Sequence, residues 1–380
     1  MLNYTKHFVD TEDINQVNSV LKYNQLTQGN YVNVFEDRLR KKLGSKFCSV
    51  VSNGTAALFL AIKSLKLKKK SKVLTTPITF SASVSTSLMN NLEVSYIDID
   101  KDNYTIDTLK LEKILKKKKI DLLIAVDYAG HPCDWKKIYY LKKKYKFKVI
   151  NDNCHALGSK YYGNSRYAIK YSDIITQSFH PAKAITTGEG GAVFTNQKEI
   201  NDRIRELRNH GFIKSKKIIK KGIWNSNIND LGYNFRLPDI NCVLGISQLK
   251  KLNKFVEYRK KVAMIYDKEF KNLEYILTPK KISTTSHAYH LYPIRIDFDK
   301  LKLDKKKFFN FFFKKNFKLQ VHYIPIYMHP YFKKKYNYNL RDLMESYKFY
   351  KETVSIPNYY GLSKNQQYRF INLLKGYVSK

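Results

Sequence analysis

The chain is short of several things at once. Its four cysteines, Cys48, Cys133, Cys154 and Cys242, are spread over 380 residues with no CxxC pair. That excludes a disulfide scaffold and a cysteine-ligated zinc module, and it reads as free thiols in a reducing cytoplasm with no metal site. No apolar run approaches the roughly 18 residues of a membrane span. The opening residues MLNYTKHFVDTEDINQV carry neither the apolar core nor the small-residue cleavage site of a signal peptide. Glycine (15) and proline (9) are scarce, and neither a Pro/Gly/Ser-rich linker nor an internal repeat divides the chain. The expectation is a cytoplasmic protein with no membrane partner.

Acidic residues are also few, with 32 Asp+Glu against 70 Lys+Arg and a formal net charge of +38. Taken alone, the charge points to a non-enzymatic, basic polyanion-binding protein. Its distribution argues otherwise. Lysines occur in runs along the whole length, Lys68 to Lys70, Lys116 to Lys119, Lys142 to Lys144 and Lys305 to Lys307, and lysine lacks the planar fork with which arginine reads bases. With 30 Tyr and 22 Phe, the composition reads as a general bias toward Lys, Asn, Ile, Tyr and Phe. Solvated surface lysine and no specific nucleic-acid partner are expected, with some attraction for small anionic substrates.

What the chain does have is enough apolar residue, 43%, for a full core, and a length that suggests about two domains. From about residue 46 to 200, short apolar strands alternate with helical stretches. Strands are expected at Phe47 to Val51, Lys72 to Thr76, Val94 to Ile99, Asp121 to Asp127, Lys148 to Asp152, Asp173 to Ser178 and Gly191 to Thr195. Helices are expected at Thr55 to Leu65, about Ser81 to Met89, 108–118 and 134–145. This alternation predicts an α/β domain with a mostly parallel central sheet and helices on both faces, and ligands in such sheets sit at the carboxyl ends of the strands. A basic helix from Ser247 to about Lys271 then leads into strands at His290 to Phe298 and Lys318 to Tyr323. The predicted division is a large α/β domain over 1–250, including the N-terminal segment, and a smaller C-terminal α+β domain over 251–380.

Four strand ends carry unusual chemistry. Ser52-Asn53-Gly54-Thr55-Ala56 opens a helix after an apolar strand, where free N–H groups and the dipole suit a phosphate, although a plain helix cap reads the same way. Thr76-Pro77-Ile78-Thr79-Phe80 brings a ring to the sheet edge, either as core or to stack on a flat ligand. Asp152, at the end of a hydrophobic strand, needs a partner for a partly buried carboxylate, which a protonated pyridine nitrogen or the following turn would supply. His155 would orient Asp152, cover a ligand ring or pack in the core. Lys183, in the almost uncharged stretch Gln177-Ser178-Phe179-His180-Pro181-Ala182-Lys183 before a Gly-rich turn, is placed to lose its proton and act as an amine nucleophile. A buried pair with Glu189 is the plainer reading. Together the segments offer a phosphate cradle, a stacking ring, an acid for a pyridinium and an amine for an aldehyde, which are the anchors that pyridoxal 5′-phosphate requires.

On SNGTAAL, TPITF, the DxxHAxG pattern from Asp152 to Gly158, SFHPAKAITTGEGG and LGYNFRLPDINCVLGISQL, the chain resembles the pyridoxal-phosphate-dependent sugar aminotransferases of the DegT/DnrJ/EryC1/StrS family over essentially its full length. Leu26-Thr27-Gln28-Gly29 and VHYIPIYMHPYF, from Val321 to Phe332, resemble those members that aminate C4 of a UDP-4-keto-6-deoxy-N-acetylhexosamine for pseudaminic acid. The resemblance implies a fold-type I aminotransferase, a homodimer with shared active sites, an amino acid donor (L-glutamate) and a nucleotide-sugar acceptor. It implies that Lys183 bonds the cofactor and moves protons, Asp152 pairs with the pyridinium, Phe80 stacks on the ring, and Thr55, Ala56 and Ser178 hold the phosphate. Asn234 would reach that phosphate from the neighbouring subunit, and Gln28, His322 and Tyr323 would contact substrate. An aminotransferase for another keto sugar, of the perosamine or 4-amino-arabinose type, is the alternative within the family. The family's sugar dehydratases carry His where this chain has Lys183. The chain departs from the family pattern at Asn151, often Glu, at Asn30, usually Pro, and at Pro238, usually a small polar residue.

Overall fold

Seven strands form the central sheet of the computed structural model, which describes residues 1–23, 25–213, 220, 222–335, 338 and 340–379. In chain order they are β1 (Phe47–Val51), β2 (Lys72–Thr75), β3 (Glu93–Tyr96), β4 (Leu122–Val126), β5 (Lys148–Asp152), β6 (Ile174–Ser178) and β7 (Gly191–Thr195). Their spatial order is β1-β7-β6-β5-β4-β2-β3. The run from β3 to β6 is parallel, while β7 lies antiparallel to both β6 and β1. The α/β expectation therefore holds, with the last strand reversed.

Period-2 alternation assigns the two faces. In β4, Leu122 and Ile124 enter one core layer while Leu123 and Ala125 enter the other. The first layer is closed by helices Gly54–Ser64, Ala82–Met89 and Lys198–Leu207, through residues such as Leu58, Val84 and Ile204. The second is closed by helices Asn30–Leu43, Trp135–Tyr145 and the start of Asp239–Phe270, through Phe35, Trp135 and Cys242. A sheet buried on both faces can carry strands as continuously apolar as LLIAV.

A third core lies beyond the sheet. Val262, Tyr266 and Phe270, from the far half of the long helix, pack with Phe308 and Phe312 of helix Lys305–Lys314 and with Phe370 of helix Lys364–Val378. A three-stranded antiparallel sheet, Ile276–Leu277, Tyr292–Ile296 and Thr353–Ile356, supplies its floor. Leu2–Asn3 pairs with Phe317–Lys318, so the chain's first residues return to this region.

Two expected elements differ. The connecting helix begins at Asp239 rather than near Ser247, and it runs through residue 250 without a break. The strand expected over Lys318 to Tyr323 is confined to Phe317–Lys318. Beyond it only Gln320 pairs, with Ser355, because His322 and Tyr323 turn to line a cavity.

Candidate active site

The parallel strands end at one wall of a cavity of about 930 Å³. Thr55, Ala56, Phe80, Asp152, His155, Ser178, Lys183, His322 and Tyr323 all line it. Sequence positions more than 260 residues apart thus converge at the edge where the topology places ligands.

At one end is the start of helix Gly54–Ser64. Asn53 caps it, its Oδ1 accepting from the Ala56 N–H at 2.8 Å. Ala56 is thereby partnered, and the backbone donors left at this terminus belong to Gly54 and Thr55. Gly54 fits because a Cβ there would stand 2.7 Å from Cβ of Ser178. That close approach brings the Ser178 and Thr55 hydroxyls to the same helix end, a cradle for a phosphate.

Asp152 closes β5 and is buried. Its Oδ2 accepts from Ser83 Oγ at 2.7 Å and its Oδ1 from the Cys154 N–H at 3.3 Å. The second bond is the turn cap anticipated as the plainer role. Among the described residues no cation pairs with this carboxylate, so a bound pyridinium N–H fits it. Phe80 is 57% exposed although it is a large apolar ring, which excludes the core reading and leaves a face on the cavity wall.

His155 has a fixed tautomer. Its Nδ1 accepts from the Ala129 N–H at 3.2 Å, so Nε2 carries the proton and donates to Tyr323 Oη at 3.2 Å. Burial holds its pKa well below the usual histidine range, and Lys183, in its charged form, adds to the effect. The imidazole is neutral. His322 is likewise pushed down to about 3 by burial and then by Lys183, with Nδ1 held 2.8 Å from Ser355 Oγ. Burial raises the Tyr323 phenol, with Tyr4 adding to it.

Lys183 lies on the loop between β6 and β7. The loop is tied by the Lys183 N–H to His180 O at 2.8 Å and by the Thr187 N–H to Phe179 O at 3.0 Å. Burial lowers the Lys183 pKa; the nearby Cys154 and Asp152 oppose the shift, and Arg259 reinforces it. Among the described residues Lys183 has no ion pair, and Glu189 is exposed, so the plainer Lys183–Glu189 pair does not form. An amine near a buried carboxylate, a phosphate cradle and an open ring fits pyridoxal 5′-phosphate.

Two expected residues stand elsewhere. Asn234 is exposed, bridging by backbone to Asn209. Gln28 lines a separate cleft of about 220 Å³ with Arg205, Arg208 and Arg236. Its loop is held away because Asp239 accepts the N–H groups of Gly29 and Tyr31 at 2.8 and 2.9 Å. Of the departures from the family pattern, Asn151 has a clear use: its Nδ2 donates to the buried Asp127 at 3.1 Å, which a glutamate could not do. Sequence reasoning missed Ser83, His290 and Tyr4. The one-turn spacing of Thr79 and Ser83 was a usable signal, whereas His290, buried with its Nδ1 unpartnered at 4.3 Å ring distance from His155, had none nearby.

The profile of the DegT/DnrJ/EryC1/StrS aminotransferase family matches residues 8–375. A UDP-4-amino-4,6-dideoxy-N-acetyl-beta-L-altrosamine transaminase from Campylobacter jejuni serotype O:2 is 40% identical over 359 residues, 94% of this chain and 92% of that protein. The solved structure of Helicobacter pylori PseC, an aminotransferase involved in the biosynthesis of pseudoaminic acid, superposes with a TM-score of 0.93 at 30% identity, covering 100% of both chains. A GDP-perosamine synthase of Escherichia coli O157:H7 is 32% identical over 269 residues, 70% of each chain.

Proposed function

Since the chain belongs to the DegT/DnrJ/EryC1/StrS aminotransferase family, we propose that it moves an amino group from L-glutamate to C4 of a UDP-linked 4-keto-6-deoxy-N-acetylhexosamine, in pseudaminic acid-type nucleotide-sugar biosynthesis. Pyridoxal 5′-phosphate is the cofactor, and when bound it supplies the aldehyde and the electron-withdrawing ring on which amino transfer depends. The observation that carries the reading is the placement of Lys183, Asp152 and the open Phe80 ring on one cavity wall.

In this reading the chain's own groups divide the work. Asp152 holds the proton on the ring nitrogen, with Ser83 fixing one carboxylate oxygen. Phe80 and His155 cover the ring, and Thr55 and Ser178 bind the phosphate, with Ala56 beside it at the helix start, its N–H held by Asn53. A neutral Lys183 Nζ takes the proton from Cα of the amino donor as a general base. His322 and the ring of Tyr323 contact the sugar, while the Tyr323 hydroxyl is held by His155. Asn234, and with it Gln28, serves the active site of a second copy in a homodimer, which accounts for the exposure of Asn234 within one chain. We assign the protein to the cytoplasm and divide it near residue 250, within the long helix.

The test is direct. Purified protein should show a visible absorption band that Lys183→Ala removes, and incubation with glutamate and the UDP-4-keto sugar should release 2-oxoglutarate. Turnover of GDP- or dTDP-linked 4-keto sugars in preference to the UDP form would reassign the substrate. No turnover of any of them, with cofactor bound, would overturn the activity.

A further inference from the structure

Arg259 lies on the long helix Asp239–Phe270 and is only 3% exposed. Its Nη2 donates to the backbone carbonyl of Lys183 at 3.2 Å. Its Nε and Nη1 are buried without a hydrogen-bond partner, and no carboxylate pairs with it among the described residues. A buried guanidinium left this way is costly, since buried charges are ordinarily paired. Other little-exposed arginines follow the ordinary rule: Arg208 sits 2.6 Å from Glu36, and Arg295 sits 2.6 Å from Glu352.

We propose that Arg259 is a positioning residue for Lys183, its guanidinium holding the lysine's backbone carbonyl while its unneutralised charge, fixed against the lysine's backbone, favours the uncharged amine. The proposal rests on the reading of Lys183 as the cofactor-binding amine. To burial, the main cause of that amine's lowered pKa, it adds a fixed charge acting in the same direction.

The surroundings leave Arg259 as the main cation acting on Lys183. From β5 the Asp152 carboxylate acts on the lysine and favours its charged form, while burial keeps the Cys154 thiol of the following turn protonated and uncharged. From the other packed segments come imidazoles, His155, His290 and His322, all held neutral by burial, with the protonated phenol of Tyr323 beside them. Neutral rings add no net charge. The carboxylate of Asp152 is thus opposed by Arg259, and low local polarity strengthens both effects relative to water. Burial pulls Arg259 itself down only to about 10, so it stays charged at neutral pH.

The test reads Lys183 directly. In the cofactor-free protein, acylation of Lys183 by acetic anhydride, followed by peptide mass spectrometry across pH, gives the pH of half-reaction. In wild type this should lie below that of surface lysines in the same digest. Arg259→Met should move it up by about one pH unit or more, a tenfold loss of neutral amine at fixed pH, and Arg259→Lys should restore most of the shift. The cofactor-loaded protein should show a parallel displacement in the pH response of its visible band. Equal half-reaction pH in wild type and Arg259→Met overturns the proposal. Should Arg259→Met fail to fold, a wild-type Lys183 that reacts like surface lysines overturns it equally, and a depressed wild-type value that Arg259→Lys keeps supports it. Loss of the proposed function would appear separately, as wild-type protein that never takes up pyridoxal phosphate.

Discussion

Ser83 Oγ donates a 2.7 Å hydrogen bond to Oδ2 of Asp152 across 69 residues of sequence. Thr79 Oγ1 stands 2.8 Å from Ser83 Oγ. Because the Ser83 proton is committed to the carboxylate, Thr79 must donate to Ser83, giving a relay that aims the acid. Ser83→Ala removes one donor from a buried anion, a loss of about 1–1.5 kcal/mol. The expected result is pyridoxal phosphate binding weakened by about five- to tenfold, measured by equilibrium dialysis, with the folded content unchanged by circular dichroism. An unchanged dissociation constant would mean that the bond does not orient Asp152.

Five buried histidines, His131, His155, His287, His290 and His322, all have pKa values lowered by burial. Between the folded and unfolded values the unfolded chain binds more protons, so stability falls as pH drops. For His322 that window runs from the ordinary histidine value of about 6.5 down to about 3. Urea denaturation should therefore give a free energy that is flat above about pH 7 and declines below about pH 6.5, before carboxylates titrate. His290→Gln should flatten the decline between pH 6.5 and 4.5. A stability constant down to pH 4.5 would contradict the neutral assignment of these rings.

Much of the sheet was legible because its strands are apolar runs with sharp polar ends. KVIND and FCSVV carry their own limits, and the expected bounds of β1, β5 and β7 coincide with the observed ones. The long helix was read too short at its start because Ile240, Val243 and Gly245 are weak helix formers. Packing overrides that preference: a Cβ on Gly245 would lie 2.4 Å from the Phe35 ring, so the helix needs glycine to approach helix Asn30–Leu43. KLQVHY reads as a strand by alternation, yet its last residues are drawn to the cavity. The cavity wall itself was visible as Asp152, Lys183 and Phe80. Arg259 was not, since within EYRKKVA it resembles any solvated base until the fold buries it.

Gly191 opens β7 where the chain passes beneath the helix cap. A Cβ there would meet the Asn53 carbonyl oxygen at 2.4 Å and its carbon at 2.5 Å, both backbone atoms. Neither can move without shifting the start of helix Gly54–Ser64. Gly191→Ala should cost about 1–3 kcal/mol of stability through overpacking, seen as a lower urea midpoint at unchanged m-value. It should also weaken binding of inorganic phosphate and of the cofactor alike, because the cradle is displaced. Wild-type stability in Gly191→Ala would show that the two segments separate more easily than their contacts suggest.

Tyr323 and His155 tie the C-terminal region to the turn after β5. The Ala129 N–H fixes the proton of His155 on Nε2, and Tyr323 Oη is its acceptor at 3.2 Å. Tyr323→Phe preserves the ring and its tilted approach to Phe80 at 6.2 Å but leaves that buried N–H without a partner, a penalty of about 1–3 kcal/mol. The loss should fall on His155 and so on the cofactor ring: slower turnover and faster cofactor dissociation by about tenfold, with a smaller change in KM for the sugar. A large rise in sugar KM with cofactor retention unchanged would instead place the Tyr323 hydroxyl against the substrate, and stopped-flow measurement of cofactor release separates the two outcomes.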